Sequence, residues 1–242
     1  MRRECKTRSI CLQTRILSVP VNLPKMDESF FYRSPWLYEA LMIGLYRGAY
    51  VERYKSLAAL VPDGSTVVDV CCGPARLYFS HLRFKRVSYT GLDINPRFVA
   101  RLASAGLKNV TGEVWDLTTS APLPRADYVI MQASLYHFLP DPRPIVDRML
   151  TAAEVNVILA EPVRNVADSN NPLFAWLARK LTNPGTGDQP HRFNKERFEK
   201  FIDYYRGEDR VIRSCPIAGG REWLCVLRGR RLETGTWLGG NS

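Results

Sequence analysis

The stretch Val67-Val68-Asp69-Val70-Cys71-Cys72-Gly73-Pro74-Ala75-Arg76-Leu77 decides how the chain folds. Its first half is a short, β-branched apolar run, which suits a strand covered on both faces. Gly73 and Pro74 stop that strand, and Arg76 to Leu82 reads as the opening of a helix. Strand, tight turn and helix in this order form the ligand-binding corner of a doubly wound sheet. Small residues there let a ligand come close to the backbone.

Working outward, Val87 to Leu92 is a second strand that ends at Asp93, 24 positions after Asp69. That separation fits one strand–helix–strand unit, with Asn95 as cap and Pro96 as first residue of a helix running to about Ala105. A carboxylate at the end of the second strand can accept charge-assisted hydrogen bonds from both hydroxyls of a ribose. It indicates adenosine, and a nicotinamide dinucleotide would satisfy it as well as a methyl donor. Asn109 to Val114 is the third strand, followed by Trp115-Asp116. Ala126 to Gln132 is the fourth and runs into Ala133-Ser134-Leu135-Tyr136-His137-Phe138-Leu139-Pro140-Asp141-Pro142. Val155 to Ala160 is the fifth and exits at Glu161. A helical segment from Asp168 to Thr182 contains Phe174 and Trp176, Pro184 to Gly187 breaks it, and Phe193 to Tyr205 is another helix. The turn Gly219-Gly220 separates strands near Arg210–Cys215 and Glu222–Leu227. Upstream, Ser34-Pro35 opens a helix with an apolar stripe to Leu45, and a second helix covers about Tyr50 to Leu60.

Asp69-Val70-Cys71-Cys72-Gly73-Pro74-Ala75 resembles the Asp-x-Gly-x-Gly-x-Gly loop of class I S-adenosylmethionine-dependent methyltransferases. Gly73 matches the central glycine, while Cys71 and Ala75 stand where the family has the outer two. The stretch from Leu135 to Pro142 is similar to the Leu-x-His-Phe…Asp-Pro segment of the members that act on small molecules. The resemblance covers about Ser34 to Arg228, with its specific motifs between Asp69 and Pro142. It implies a three-layer α/β fold: a mostly parallel seven-stranded Rossmann-like sheet with an antiparallel last strand, plus N-terminal helices. It implies S-adenosyl-L-methionine as cofactor, held by Asp69, Cys71, Gly73, Ala75, Asp93, Ile94, Trp115, Asp116 and Gln132. Among these, Asp116 would take the adenine amino group and Trp115 would cover the ring. The alternative for Trp115 is a place in the core.

The expected domains are a basic tail over 1–25, a methyltransferase domain over 26–228, and a polar, Gly-rich tail over 229–242. Within the domain, 26–62 would form a helical lid and 162–205 the acceptor-side insertion and helices. The formal charge is +10, and the first 25 residues carry half of it, with six basic residues against Glu4. That tail lacks any hydrophobic period. It reads as unstructured, with a targeting peptide as the alternative and Met26 as a second candidate start. The rest is mildly basic, which argues against a large nucleic-acid footprint. Asn/Asp-Pro-Pro-Phe/Tyr, which follows the fourth strand in DNA and many RNA N-methyltransferases, does not occur here. Six cysteines without paired spacing, and no signal peptide, point to reduced thiols in a cytoplasmic protein. Adjacent Cys71 and Cys72 read as small packing residues. Three scattered histidines give no metal-ligand spacing. No apolar run approaches the ~20 residues of a membrane span.

A sulfonium donor already carries an activated methyl group, so alignment supplies most of the catalysis, up to ~7–11 kcal/mol. A base is needed only where the acceptor must lose a proton. His137, Tyr136 and Glu161 are the candidates at the acceptor side. A buried Glu161 would need a partner, and Arg164 is close in sequence. Arg164, Arg179 and Arg192 beside Phe174, Trp176 and Phe193 would suit an apolar or aromatic acceptor carrying an acidic group. Simple packing accounts for the same aromatics equally well. The whole points to a methyltransferase acting on a small-molecule acceptor. A non-catalytic adenosyl-binding protein, an RNA methyltransferase and an NAD-dependent oxidoreductase are the alternatives.

Overall fold

A computed structural model describes residues 51–164 and 192–230. The expected basic tail, the helix opening at Ser34, the helical segment from Asp168 to Thr182 and the end of the C-terminal tail lie outside them, as do Phe174, Trp176 and Arg179.

Seven strands form one sheet: β1 (Thr66–Val70), β2 (Ser88–Asp93), β3 (Val110–Val114), β4 (Ala126–Gln132), β5 (Ala153–Pro162), β6 (Val211–Ile217) and β7 (Glu222–Arg228). Their order across the sheet is β3-β2-β1-β4-β5-β7-β6. β1 lies parallel to both β2 and β4, with Val67 opposite Tyr89 on one side and Tyr128 on the other. β7 runs antiparallel to both neighbours, β5 and β6. The sheet is therefore mostly parallel with β7 reversed, as expected. Chain order runs outward in opposite directions from β1 and β4, which makes their C-terminal ends the switch point where such sheets leave a crevice. Hydrogen bonds from Gly229 N–H to Val155 and from Arg230 N–H to Ala153 carry the pairing past Arg228.

Helices cover both faces. On one lie α1 (residues 51–59), α2 (Arg76–Ser80) and α3 (Pro96–Ser104). Leu57, Val61, Leu77 and Leu102 meet Val67, Tyr89, Ile130 and Ile158 there. On the other lie α4 (Arg143–Ala152) and α5 (Lys195–Gly207). Val146, Met149, Phe198 and Ile202 meet Val68, Val70, Val129 and Val157 on that side. Consecutive residues of β1 thus serve different cores, as the period of a strand requires. α3 caps as expected, with the Asn95 side chain accepting from Arg97 N–H and Pro96 in first place. It packs very close to the sheet: a Cβ on Gly91 would lie 2.5 Å from Leu102 Cδ1.

α4 fills a stretch where the sequence reading names no element. Ile145, Val146, Met149 and Leu150 nevertheless recur there at helical spacing, and all are buried. α2 is shorter than expected, giving way to a 3-10 turn over Leu82–Phe84. β5 extends past its expected ends in both directions, because β4 and β7 pair with it along different parts of its length.

Candidate functional site: the carboxylate corner of the sheet

After β1 the chain turns sharply, and Cys71, Gly73 and Ala75 all adopt left-handed backbone, with φ of 56°, 55° and 56°. These are the three positions of the glycine pattern. The conformation belongs to the loop, and Cys71 and Ala75 hold it despite the roughly 1–2 kcal/mol it costs a residue with a Cβ. A Cβ on Gly73 would have nothing within 4 Å. Its glycine is required by the backbone and leaves open space above it, where a ligand can lie.

Asp93 faces this loop. Its Oδ2 accepts from Gly73 N–H and its Oδ1 from Asn95 N–H, each at 2.8 Å. Burial raises its pKa, and those two backbone bonds pull it back. Each oxygen keeps a lone pair for a hydroxyl. Ile94 beside it is 49 % exposed, an apolar surface next to a polar one. Trp115 N–H donates to Asp93 C=O at 2.9 Å, which brings the end of β3 to the same corner. Asp116 Oδ1 accepts from the amide and hydroxyl of Thr118. Among the described residues its Oδ2 takes no bond. The Trp115 ring packs against the main core, while its buried Nε1 has no partner among the described residues.

Asp69 sits deeper. It is fully buried, accepts from Tyr89 Oη at 2.7 Å and from Gln132 Nε2 at 3.3 Å, and does not reach the surface. Burial lifts its pKa to about 7 against those two bonds, and nearby Asp93 lifts it further. Its part is to orient Gln132, whose buried Oε1 has no partner among the described residues. Tyr89 was not among the expected site residues. Cys71 and Cys72 have thiol pKa values pushed well up, by burial first and then by Asp93 and Asp69. Both are neutral packing groups.

On the other side of the switch point, Glu161 is fully buried. Its Oε1 accepts from the backbone N–H groups of Ser134 and Leu135, each at 2.8 Å. The partner is thus this turn rather than Arg164. Oε2 has none. Burial raises the pKa to about 7; the Leu135 and Ser134 amides and Arg53 oppose this, and Glu222 adds to it. The turn that Glu161 holds carries Tyr136 and His137, whose rings lie 4.0 Å apart. Arg192 stacks over Tyr136 at 4.5 Å, which brings it to the same turn. Burial, and then Arg192, lower the His137 pKa to about 4. The imidazole is neutral at pH 7, and its buried Nδ1 has no partner among the described residues. Phe193 instead belongs to the core, edge-on to Phe198 at 5.3 Å.

Behind Glu161, Arg53 of α1 forms a two-pronged ion pair with Glu222 of β7, both contacts at 2.5 Å and both side chains almost wholly buried. Neither was singled out from the sequence. The available signal was a charge inside an apolar stripe: Arg53 lies one turn before Leu57, beside Tyr54, Ala58 and Val61. Beyond the corner a cleft of about 510 Å³ lies between Arg164, Lys195, Pro216 and Trp223, and it includes no expected cofactor residue. Among the described residues no His, Cys, Asp and Glu cluster could hold a metal ion, and no helix is long and apolar enough to cross a membrane.

The same architecture occurs in solved structures. A chain in the complex between the Haloferax volcanii Trm112 methyltransferase activator and a methyltransferase superposes with a TM-score of 0.60 at 14% identity, covering 84% of this chain and 99% of its own. The S-adenosylmethionine-dependent methyltransferase of Aquifex aeolicus gives 0.53 at 16% identity, covering 80% and 97%. The chain has the class I methyltransferase fold. The plantazolicin methyltransferase BpumL, solved with a triazolic desmethylPZN analog and SAH, shares that fold at 0.59 and 10% identity, covering 83% and 93%. Residues 52–164, a little under half of the chain, also match the family described as methionine biosynthesis protein MetW. No curated protein matches the sequence.

Proposed function

We propose that this protein is an S-adenosylmethionine-dependent methyltransferase acting on a small-molecule acceptor. The observation that carries this reading is the loop geometry: three alternate residues in left-handed backbone around open space, with the Gly73 amide fixed to Asp93. The residues fit the cofactor. Asp93 would hold the ribose, Asp116 with its free Oδ2 the adenine amino group, Ile94 the ring, and Cys71, Gly73, Ala75 and Gln132 the methionine end. Trp115, packed on the core, would form the floor of the adenine site. When bound, the cofactor supplies a methyl group already activated on sulfur.

The protein then has to orient the acceptor and keep water out. Tyr136 and His137, on the turn that Glu161 holds, are placed for this. A neutral His137 can accept a proton from an acidic acceptor; fully buried Glu161 acts through the turn. The MetW description concerns methionine biosynthesis, and this supports a small metabolite over RNA or protein as acceptor. So does a +10 charge of which half lies in the first 25 residues. The test is calorimetry with S-adenosylmethionine, S-adenosylhomocysteine and NAD, followed by transfer of labelled methyl to a cell extract. Binding of both sulfur nucleosides and label in the low-molecular-weight fraction are expected. Tighter binding of NAD, or label entering RNA at physiological salt, would overturn the reading.

A further inference from the structure

Three carboxylates, Asp69, Asp93 and Glu161, converge on the loop after β1 from three different strands. Cys71 of that loop feels the charge of all three. Their neighbours do little to neutralise them. Asp69 has two neutral partners, Tyr89 and Gln132, and Asp93 has two backbone amides. Glu161 faces the Ser134 and Leu135 amides from the β4 exit, Cys71 from the loop, Arg53 from α1 and Glu222 from β7. Arg53 is paired with Glu222, and Glu222 offsets part of the help that Arg53 gives Glu161. The corner also holds two buried acceptor oxygens that have no partner among the described residues, Gln132 Oε1 and Glu161 Oε2. An uncompensated buried carboxylate is expensive in an empty site and favourable beside a cation.

We propose that Glu161 makes this corner selective for the positively charged methyl donor over its neutral thioether product. This rests on the reading of the chain as a methyltransferase. S-adenosylmethionine carries one more positive charge than S-adenosylhomocysteine, located at the sulfur that loses the methyl group. Transfer removes that charge, so a carboxylate near it favours donor binding and product release alike. The raised pKa values of Asp69 and Glu161, each about 7 and each due first to burial, agree with an acidic corner that has little positive charge beside it. A bound cation would draw both toward ordinary carboxylate values, with release of protons near neutral pH.

The test is isothermal calorimetry on the full-length protein with both ligands, at pH 5.5 and pH 8, for the wild type and Glu161→Gln. Glutamine keeps an oxygen for the Ser134 and Leu135 amides and removes the charge. At pH 8 the substitution should weaken S-adenosylmethionine about tenfold and S-adenosylhomocysteine less than twofold. In the wild type the preference for the charged donor should grow from pH 5.5 to pH 8, and in buffers of different ionisation enthalpy donor binding should release more protons than product binding. The wild-type measurements decide the matter should the variant fail to fold. Equal weakening of both ligands, together with equal proton release, would overturn this inference and leave the methyltransferase reading standing. Failure of the wild type to bind either ligand would overturn both.

Discussion

On the β1–β3 side of the switch point, polar groups are held mostly by neighbours close along the chain. Asn95 reaches back two residues to Asp93, and Asp116 takes Thr118 two residues on. Gly73 meets Asp93 twenty positions away, within one strand–helix–strand unit. On the β4–β7 side the corresponding partners are remote. Glu161 holds amides 26 and 27 residues back, and Arg53 reaches Glu222 across 169. Unpartnered atoms occur on both sides, but fixed charge in a dry interior is concentrated on the second. The β1–β3 side is thus a local construction of backbone and caps. The β4–β7 side is an assembly of buried charges whose partners come from distant parts of the chain.

The sharpest way to break this contrast is to cut the long-range pair. Arg53→Ala leaves Glu222 buried and uncompensated, and should cost about 3–5 kcal/mol of stability in a denaturant titration. The double substitution Arg53→Met, Glu222→Leu should recover most of that, since an apolar pair fills the same space without a desolvated charge. A loss below about 1 kcal/mol for the single change would show that the pair is not dry. Next in size is Asp93→Ala on the local side. It should weaken S-adenosylhomocysteine by about 1.5–3 kcal/mol, roughly 10- to 150-fold by calorimetry, while the melting temperature moves little because only two backbone amides lose a partner. Collapse of stability with unchanged affinity would reverse the assignment of the two sides. The smallest effect is expected at Gly73→Ala. The new Cβ meets nothing, so the cost to stability is only the left-handed backbone, about 1–2 kcal/mol, and the methyl group enters the space left for the ligand. Affinity for the nucleoside should fall by more than stability does, and the reverse would mean that no ligand approaches the loop there.

The same contrast explains what the sequence disclosed. The β1 loop, Asp93 and the Asn95 cap could be read from residue types at short spacing, and the structure brings Asp93, Ile94, Trp115 and Asp116 to the corner of the loop. The fold class, a mostly parallel seven-stranded sheet, came from the family resemblance that the glycine pattern carries, even with cysteine and alanine at two of its positions. Tyr89 could not be recognised as the partner of Asp69, because a tyrosine in a β-strand reads as ordinary packing. Glu161 was singled out by its place at a strand end, but its partner could not be, since backbone amides have no residue type to read. Arg53 and Glu222 carry no mutual signal across 169 positions. α4 lies where the sequence reading names no element, although Ile145, Val146, Met149 and Leu150 carry helical spacing.

The Arg53–Glu222 pair also has a consequence in time. At about 5–20 residues per second, Glu222 is synthesised roughly 10–30 s after Arg53. In that interval strands β1 to β5 can already exist, with the loop and Asp93 in place. α1, meanwhile, carries Arg53 into its seam before the carboxylate that grips it in the finished fold has been made. The sheet can therefore be half built before its longest-range polar contact forms, and the last strand acts as the latch.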